Sequence, residues 1–290
     1  MLVTRTGGFP IGFRRMGSEW QKDLDGLVRW AKAAGFGAID LGGDADAVAA
    51  KVTSAGLAVG SADLLDWRRL VSGDRSAREA AVARNSAYVE ACARAGVREF
   101  FIVMLPEKPE LPRRENFGYM VESLNALAPA LERVGARMVI EGWPGPGALC
   151  CTPETLRATF KSCPSRAIGI NYDPSHLVRM GIDHVRFVEE FGDRIYHVHG
   201  KDAELLDENL YEFGLEQPPT FARPVGFGGM TWRYTIPGHG QVRWTRVFSL
   251  LKEKHYKGSV SVELEDANFN GSEQGEKEGL LAGAQFLASA

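Results

Sequence analysis

Four short apolar runs of this 290-residue chain each end in a residue that can bind a metal ion. The runs are RMVIE, ending at Glu141, AIGINYD, ending at Asp173, IYHVH, ending at His199, and SVSVE, ending at Glu263. Short apolar runs predict buried strands, and a charge at the end of such a strand is costly unless it is paired or bound to metal. Three carboxylates that meet would repel one another, and a divalent cation would remove that cost. Mixed oxygen and imidazole ligands suit Mn²⁺, Mg²⁺, Co²⁺ or Zn²⁺, and we predict a Mn²⁺ site held by these four residues.

Each residue also has a simpler interpretation when it is taken alone. A single carboxylate at a strand end is often a helix cap or one half of an ion pair, and Asp173, which precedes Pro174, could start a turn. His197 and His199 share a face of their strand but lie in different layers. We assign the ligand role to His199, which is nearer the end of the strand, and a structural role to His197. His176 is placed to support a ligand or to hydrogen-bond a substrate.

The elements that must position these residues alternate along the whole chain. Short apolar runs are followed by longer amphipathic stretches, several of which end at a glycine, and eight such strand–helix units can be counted. This alternation predicts an α/β fold with a parallel sheet, and the length favours a closed (β/α)₈ TIM barrel in a single domain over residues 1–290. An open doubly wound sheet is the alternative, but no G-x-G-x-x-G or phosphate-binding loop occurs. In a barrel, the carboxyl ends of the strands form the active-site face, where the four ligands can converge.

Composition and charge narrow the class of protein. Hydrophobic residues make up 44% and charged residues 24% of the chain, and the formal net charge is −3. These values are typical of a globular protein and disfavour nucleic acid or an anionic membrane as the partner. The four cysteines have no CxxC spacing, and the first residues lack the apolar stretch of a signal peptide. We therefore expect a cytoplasmic protein whose partner is a small molecule.

The same residues resemble the xylose-isomerase-like family of metal-dependent sugar isomerases and epimerases. The resemblance covers nearly the whole chain, and the features that carry it are Glu141, D-x-x-H at 173–176, HGKD at 199–202, IPGHGQVRW at 236–244 and Glu263. Arg243 stands where the family pattern often has an aspartate. The resemblance implies a TIM barrel that removes a proton next to the carbonyl of a keto-sugar through an enediolate.

The resemblance also implies roles for individual side chains. Glu141 and Glu263 would move protons as well as bind the metal. Lys201, with Asp202 as its partner, would hold a substrate oxygen. A solvated ion pair between Lys201 and Asp202 is the alternative.

Residues 203–240 are long for a connection within a barrel, where about 2–6 residues are usual. The segment is rich in aromatic residues, and we predict an inserted loop at the barrel mouth that acts as a lid or platform, with Trp232 in contact with the substrate. An oligomer contact is the alternative. His239 is a candidate acid or base in the same mouth, or else supports the turn. Trp143, two residues after Glu141, either stacks on a sugar or packs.

The long segment also resembles a branch of the superfamily associated with 3-keto-glycosides, which includes C-glycoside deglycosidases and 3-keto-levoglucosan lyases. A lyase that performs β-elimination, as inosose dehydratases do, therefore stays open beside an isomerase or epimerase. An endonuclease-IV-like phosphodiesterase would need more histidines at the mouth than this chain, with six in total, provides. A non-catalytic barrel subunit would not need intact ligands. We expect a homo-oligomer, and the deglycosidase resemblance allows a small partner subunit.

Overall fold

The computed structural model describes residues 1–290, and strands alternate with helices along it. The strands are β1 (Ile11–Arg14), β2 (Ala38–Leu41), β3 (Ala58–Asp63), β4 (Glu99–Val103), β5 (Arg137–Glu141), β6 (Ile168–Tyr172), β7 (Ile195–Gly200), β8 (Asp202–Leu205), β9 (Trp232–Thr235) and β10 (Val260–Val262). The helices are α1 (Glu19–Lys22), α2 (Leu24–Ala33), α3 (Ala45–Ser54), α4 (Arg75–Arg94), α5 (Arg113–Arg133), α6 (Pro153–Ser162), α7 (Pro174–Arg179), α8 (His184–Phe191), α9 (Asp207–Phe213), α10 (Trp244–Glu253) and α11 (Glu273–Ser289). None of these helices is both long enough and apolar enough to pass through a bilayer.

Eight of the strands form a closed barrel in the order β1-β10-β7-β6-β5-β4-β3-β2. Neighbouring strands run parallel, as where Ile140 of β5 lies opposite Ile170 of β6. Parallel neighbours need a crossover between them, and helices occupy these connections. The predicted (β/α)₈ barrel is therefore confirmed.

By its internal contacts the chain divides into two compact units. The first unit consists of residues 1–37, 173–192 and 199–290, and the second of residues 38–172 and 193–198. The organisation of residues 1–290 as a single domain stays a prediction.

In the first unit, β1 pairs with β10, and Phe13 lies opposite Val262. Phe13 is fully buried, and its ring makes edge-to-face contacts with Trp30 and Phe36, an arrangement that adds to the free energy gained by burial. The short strand β10 therefore has a well-packed neighbour, and Glu263 follows it directly.

In the second unit, β4, β5 and β6 pair in parallel register, with Glu141 between Val103 and Asn171. All five residues of β6 are buried, as is typical of a strand covered on both faces. Gly169 of β6 must lack a side chain, because a Cβ there would lie 2.3 Å from the ring of Tyr196. This tight contact fixes the strand that leads to Asp173.

The segment 203–240 contains more regular structure than the expected loop. Strands β8 and β9 form an antiparallel ribbon in which Ala203 lies opposite Tyr234 and Leu205 opposite Trp232. Cross-strand pairs of aliphatic and aromatic side chains stabilise such a ribbon. Since the two strands are far apart in the sequence, no hairpin turn signal announces their pairing.

Candidate metal centre

The structure brings together the four residues that the strand ends predicted as metal ligands. Glu141 ends β5, Asp173 follows β6, His199 lies near the end of β7 and Glu263 follows β10. All four residues are buried. One potential ligand atom from each residue, a carboxylate oxygen or an imidazole nitrogen, lies within 4.8 Å of the other three. Three carboxylates and one imidazole in so small a space form a cluster that could hold a divalent metal ion.

The two carboxylate oxygens of Asp173 have different partners. Oδ1 accepts hydrogen bonds from the backbone N–H of Ser175 at 2.9 Å and from its hydroxyl at 2.6 Å, which caps α7. Oδ2 lies 3.1 Å from Nζ of Lys201 and 3.3 Å from Nε2 of His176. The capping role and the ligand role are therefore compatible. Helix α7 was not predicted, although an aspartate cap followed by Pro174 at the first helical position is a known helix start.

Lys201 places a buried positive charge beside two of the four ligands. In addition to its contact with Asp173, its Nζ lies 2.5 Å from Oε2 of Glu263 and 2.9 Å from Oε2 of Glu265. Burial alone would lower the pKa of Lys201, but the three carboxylates outweigh burial and raise this pKa well above its ordinary value. Lys201 is therefore charged at neutral pH.

The predicted pair of Lys201 with Asp202 does not form. Consecutive side chains of an extended segment point to opposite sides, and Asp202 accepts hydrogen bonds from the backbone N–H groups of Gly238 and Val242 and from the indole N–H of Trp244. Burial raises the pKa of Asp202 in spite of these donors. Asp202 therefore fastens the chain that leads into α10, rather than serving Lys201.

Glu263 is surrounded by positive and polar groups. Its Oε1 lies 3.3 Å from Nε of Arg14, and its Oε2 lies 3.3 Å from Nδ1 of His199. Burial alone would raise the pKa of Glu263, but Lys201, followed by His199 and Arg14, outweighs burial and holds this pKa well below its usual range. Glu263 is thus ionised, as a metal ligand must be.

Asn171 is a site residue that the sequence did not single out. It lies opposite Glu141 in the pairing of β5 with β6, and its Nδ2 donates a hydrogen bond of 2.8 Å to Oε2 of Glu141. This bond fixes the orientation of the carboxylate. The signal that could have revealed Asn171 is a lone amide within a buried apolar strand, two residues before Asp173.

His176 and two aromatic residues of β9 form a second group of contacts in the first unit. Nδ1 of His176 lies 2.7 Å from the hydroxyl oxygen of Tyr234. The guanidinium carbon of Arg179 lies 4.3 Å from the ring centroid of Trp232 and 5.3 Å from that of Tyr234. Trp232 is half-buried, so part of its ring is open to a ligand, whereas His176 and Tyr234 are buried.

His197 belongs to the second unit and pairs with Asp40. Nε2 of His197 lies 2.8 Å from Oδ2 of Asp40, and both residues are fully buried. Asp40, His197 and His199 also offer ligand atoms within 4.8 Å of one another. The bond to Asp40 engages one ring nitrogen of His197, in keeping with the structural role expected for this residue.

Two predicted site residues, His239 and Trp143, contact groups other than the four candidate ligands. His239 is exposed, and its ring centroid lies 6.5 Å from that of Phe269, so the structure does not bring it together with the four ligands. Trp143 is half-buried, and its ring covers Gly145, where a Cβ would lie 2.0 Å from the ring. Trp143 thus packs on its own loop, and its contact with a sugar stays a prediction.

The chain is similar to several known proteins. The profile of the xylose isomerase-like TIM barrel family matches residues 28–290. An uncharacterized protein of Bacillus subtilis, YfiH, is 36% identical over 120 residues, which cover 41% of this chain and 37% of that protein. An inosose dehydratase of Clostridium tetani is 27% identical over 159 residues, which cover 55% of this chain and 50% of that protein. The match thus spans half or less of the length of these relatives.

A solved structure has a similar fold over nearly the whole chain. The 3-keto-D-glucoside 4-epimerase from E. coli superposes with a TM-score of 0.70 and 15% identity, covering 96% of this chain and 98% of that chain. At this low identity the likeness shows the shared fold alone.

Proposed function

The chain belongs to the xylose isomerase-like TIM-barrel family, and we propose that it is a divalent-metal-dependent enzyme that removes a proton next to the carbonyl of a keto-sugar. The resulting enediolate is reprotonated on another carbon or on the opposite face, which makes the enzyme an isomerase or epimerase. The buried cluster of Glu141, Asp173, His199 and Glu263 carries this proposal. The names of the relatives, an inosose dehydratase and a 3-keto-D-glucoside 4-epimerase, support a carbohydrate substrate.

The donor set fits a divalent cation. Three buried carboxylates repel one another, and an unbalanced buried charge is costly. Carboxylate and imidazole ligands suit Mn²⁺, which we propose as the bound ion, with Mg²⁺, Co²⁺ and Zn²⁺ as the alternatives. When bound, such an ion supplies electrostatic stabilisation of the negative charge that develops on a substrate oxygen.

Glu141 and Glu263 are the residues that we propose to move the proton. Each is held by a neighbour, because Asn171 donates to Glu141 and Lys201 contacts Glu263. A carboxylate held in one orientation can take a proton from a carbon within its reach, and holding it there in advance removes part of the entropic cost of the step. The low pKa of Glu263 keeps it in the form that can accept a proton.

Lys201 and His176, which both contact the candidate ligand Asp173, are proposed to interact with the substrate. Three carboxylates lie against the Lys201 ammonium, which has three N–H donors. Its effect on a substrate oxygen is therefore that of a fixed positive charge nearby. Trp232, which is only half-buried, is proposed to contact the substrate directly.

A lyase that performs β-elimination is the second candidate. It would begin with the same proton abstraction, after which the C–O or C–C bond to a group on the neighbouring carbon breaks and the departing group takes the electron pair and a proton. The stacked side chains of Trp232 and Arg179 favour it, since they offer a flat surface for a substrate larger than a monosaccharide. A non-catalytic barrel subunit is the third candidate, and it would bind no metal.

The test is incubation in D₂O with Mn²⁺ and two substrates, a free ketohexose and a 3-keto-glucoside, followed by chelation of the metal and proton NMR. Deuterium entering a carbon next to the carbonyl of an otherwise intact sugar supports an isomerase or epimerase. Release of the aglycone supports the lyase. Neither change, in protein shown to contain Mn²⁺, would overturn the proposed chemistry.

We also propose that the protein is a cytoplasmic homo-oligomer. Two side chains of the segment that connects β8 with β9 support the oligomer, because Tyr211 is 88% and Phe221 99% exposed, and exposed apolar groups favour association. Light scattering of the purified protein would give its mass. A monomer under these conditions would contradict the proposal, and co-purification of a small subunit would extend it.

A further inference from the structure

Tyr234 connects the β8–β9 ribbon to the candidate metal centre. Its hydroxyl oxygen lies 2.7 Å from Nδ1 of His176. The other ring nitrogen of His176, Nε2, lies 3.3 Å from Oδ2 of Asp173. One tyrosine from the inserted ribbon therefore contacts a histidine that contacts a predicted metal ligand.

The chemistry of these three groups indicates where the protons lie. A carboxylate such as that of Asp173 only accepts hydrogen bonds, so the nitrogen that faces it should carry a proton. Burial raises the pKa of Tyr234, and the hydroxyl therefore keeps its proton and can donate it. When the Tyr234 hydroxyl donates to Nδ1 of His176, the ring proton is on Nε2, the nitrogen that lies 3.3 Å from Oδ2 of Asp173.

The ring of Tyr234 is itself held in place. Nζ of Lys201 lies 4.4 Å and the guanidinium carbon of Arg179 5.3 Å from its centroid, and cations beside an aromatic ring are attracted to it. The backbone N–H of Tyr234 donates to the carbonyl of Phe227 at 2.9 Å, and the residue is paired with Ala203 across the ribbon. The hydroxyl of Tyr234 is thus a fixed point from which His176 is oriented.

We propose that Tyr234 is a positioning residue for the metal centre, which acts through His176 to hold the carboxylate of Asp173, one of the four candidate ligands, in place. This inference rests on the proposed function, because it requires Asp173 to be a metal ligand. Groups that orient metal ligands without touching the metal change metal affinity by about 10–100-fold when they are removed. The ribbon is then a part of the metal centre.

The first experiment measures the Kd of Mn²⁺ by electron paramagnetic resonance for the full chain. We expect Tyr234→Phe to raise this Kd about tenfold. Thr235→Val is the matched control, because it removes a buried hydroxyl from the same strand that has no hydrogen-bond partner. Tyr256→Phe is the chemical control, since the buried Tyr256 hydroxyl donates to the carbonyl of Ser259 instead. Both controls should leave the Kd unchanged.

The second experiment records the ring-nitrogen NMR signals of His176 in metal-free protein, assigned by their loss in His176→Gln. We expect a single tautomer with the proton on Nε2 in the wild type. In Tyr234→Phe the donor to Nδ1 is gone, and the two tautomers should mix. A merely structural role of Tyr234 would not change which nitrogen carries the proton.

An unchanged Mn²⁺ Kd in Tyr234→Phe overturns the inference, whatever the NMR signals show. Should this variant fail to fold, His176→Gln carries the test, with the same tenfold loss supporting the inference and an unchanged Kd overturning it. If the wild type binds no Mn²⁺, the proposed function fails and the link to the metal fails with it. A tautomer shift in that case would still show that Tyr234 orients His176, which separates the two failures.

Discussion

Nζ of Lys201 lies 3.1 Å from Oδ2 of Asp173, and both residues are almost completely buried. The same ammonium contacts Glu263 and Glu265. In the metal-free protein, Lys201 therefore offsets part of the charge that a divalent ion would also offset. This lysine therefore stabilises the cluster before any metal binds.

Replacing Lys201 by methionine should destabilise the metal-free protein strongly. Removal of one partner from a buried ion pair typically costs about 3–5 kcal/mol, because the other charge is left uncompensated. We expect a loss of this size in the free energy of unfolding, measured with urea in the presence of EDTA. Saturating Mn²⁺ should narrow the difference, since the ion neutralises the same carboxylates.

Lys22→Met is the control for this change. Lys22 pairs with Glu19 on the surface, where both side chains are more than half exposed. Such pairs contribute about 0–1 kcal/mol. Equal stability of the two variants in EDTA would show that Lys201 does not have the role assigned to it.

Asp173→Asn should reduce metal binding without unfolding the chain. Asparagine caps a helix about as well as aspartate does, so the start of α7 should survive, while the charged ligand is lost. We expect the Mn²⁺ Kd, measured by electron paramagnetic resonance, to rise at least tenfold. The rate at which the sugar substrate takes up deuterium from D₂O should fall with it.

Asp183→Asn offers a closely matched comparison. Asp183 caps the next helix, α8, through hydrogen bonds from the backbone N–H groups of Val185 and Arg186 at 2.9 and 3.0 Å. The chemical change is the same and each aspartate caps a helix, but Asp183 is exposed and is not one of the four candidate ligands. Equal Mn²⁺ affinity in the two variants would remove Asp173 from the ligand set.

The cluster of four candidate ligands could be predicted from the sequence because each residue ends an apolar run. A parallel strand covered on both faces is largely apolar, so a charged residue at its end stands out, and the carboxyl ends of barrel strands converge on one face. Glu141, Asp173, His199 and Glu263 share this property, and their joint pattern carried the prediction. The closed barrel followed from the alternation of eight strand–helix units together with the length of the chain.

The contacts that orient the ligands could not be predicted. Tyr234 and His176 are separated by 57 other residues, and nothing in either local sequence indicates their contact. Asn171 meets Glu141 only because β5 and β6 pair in one particular register. Lys201 and Asp202 are adjacent in the sequence, yet their side chains serve different partners. Such pairings depend on register and on the packing of distant segments.

The cap of α8 should make stability depend on pH in acid. Hydrogen bonds from the backbone N–H groups of Arg186 and Val185 lower the pKa of Asp183. Because the folded value lies below the unfolded value of about 3.9, the contribution of the ionised carboxylate is fully present above about pH 4 and is lost as the pH falls through the folded pKa. Asp183→Ala should cost about 1 kcal/mol at pH 7.

Urea unfolding of the wild type, Asp183→Ala and Asp183→Asn at pH 7, 5 and 3 tests this expectation. The difference between wild type and the alanine variant should stay constant from pH 7 to 5 and narrow at pH 3. The asparagine variant keeps an acceptor without a titrating charge, so its difference from the alanine variant should not change with pH. A difference between wild type and alanine that widens in acid would contradict the assigned cause.

Trp232 should select for large substrates. Its ring stacks on the guanidinium of Arg179 and remains half-buried, which leaves aromatic surface for an apolar sugar face or an aglycone. Stacking of this kind contributes about 0.5–1.5 kcal/mol, so Trp232→Ala should raise KM for a 3-keto-glucoside by up to about tenfold. The KM for a free ketohexose should change less, and kcat should change little for either, because Trp232 is not one of the residues proposed to move the proton. Trp232→Phe keeps a smaller aromatic face, so its KM for the 3-keto-glucoside should lie between those of the wild type and Trp232→Ala. Equal increases in KM for both substrates would contradict this expectation. They would mean that Trp232 supports the ribbon and does not contact the aglycone.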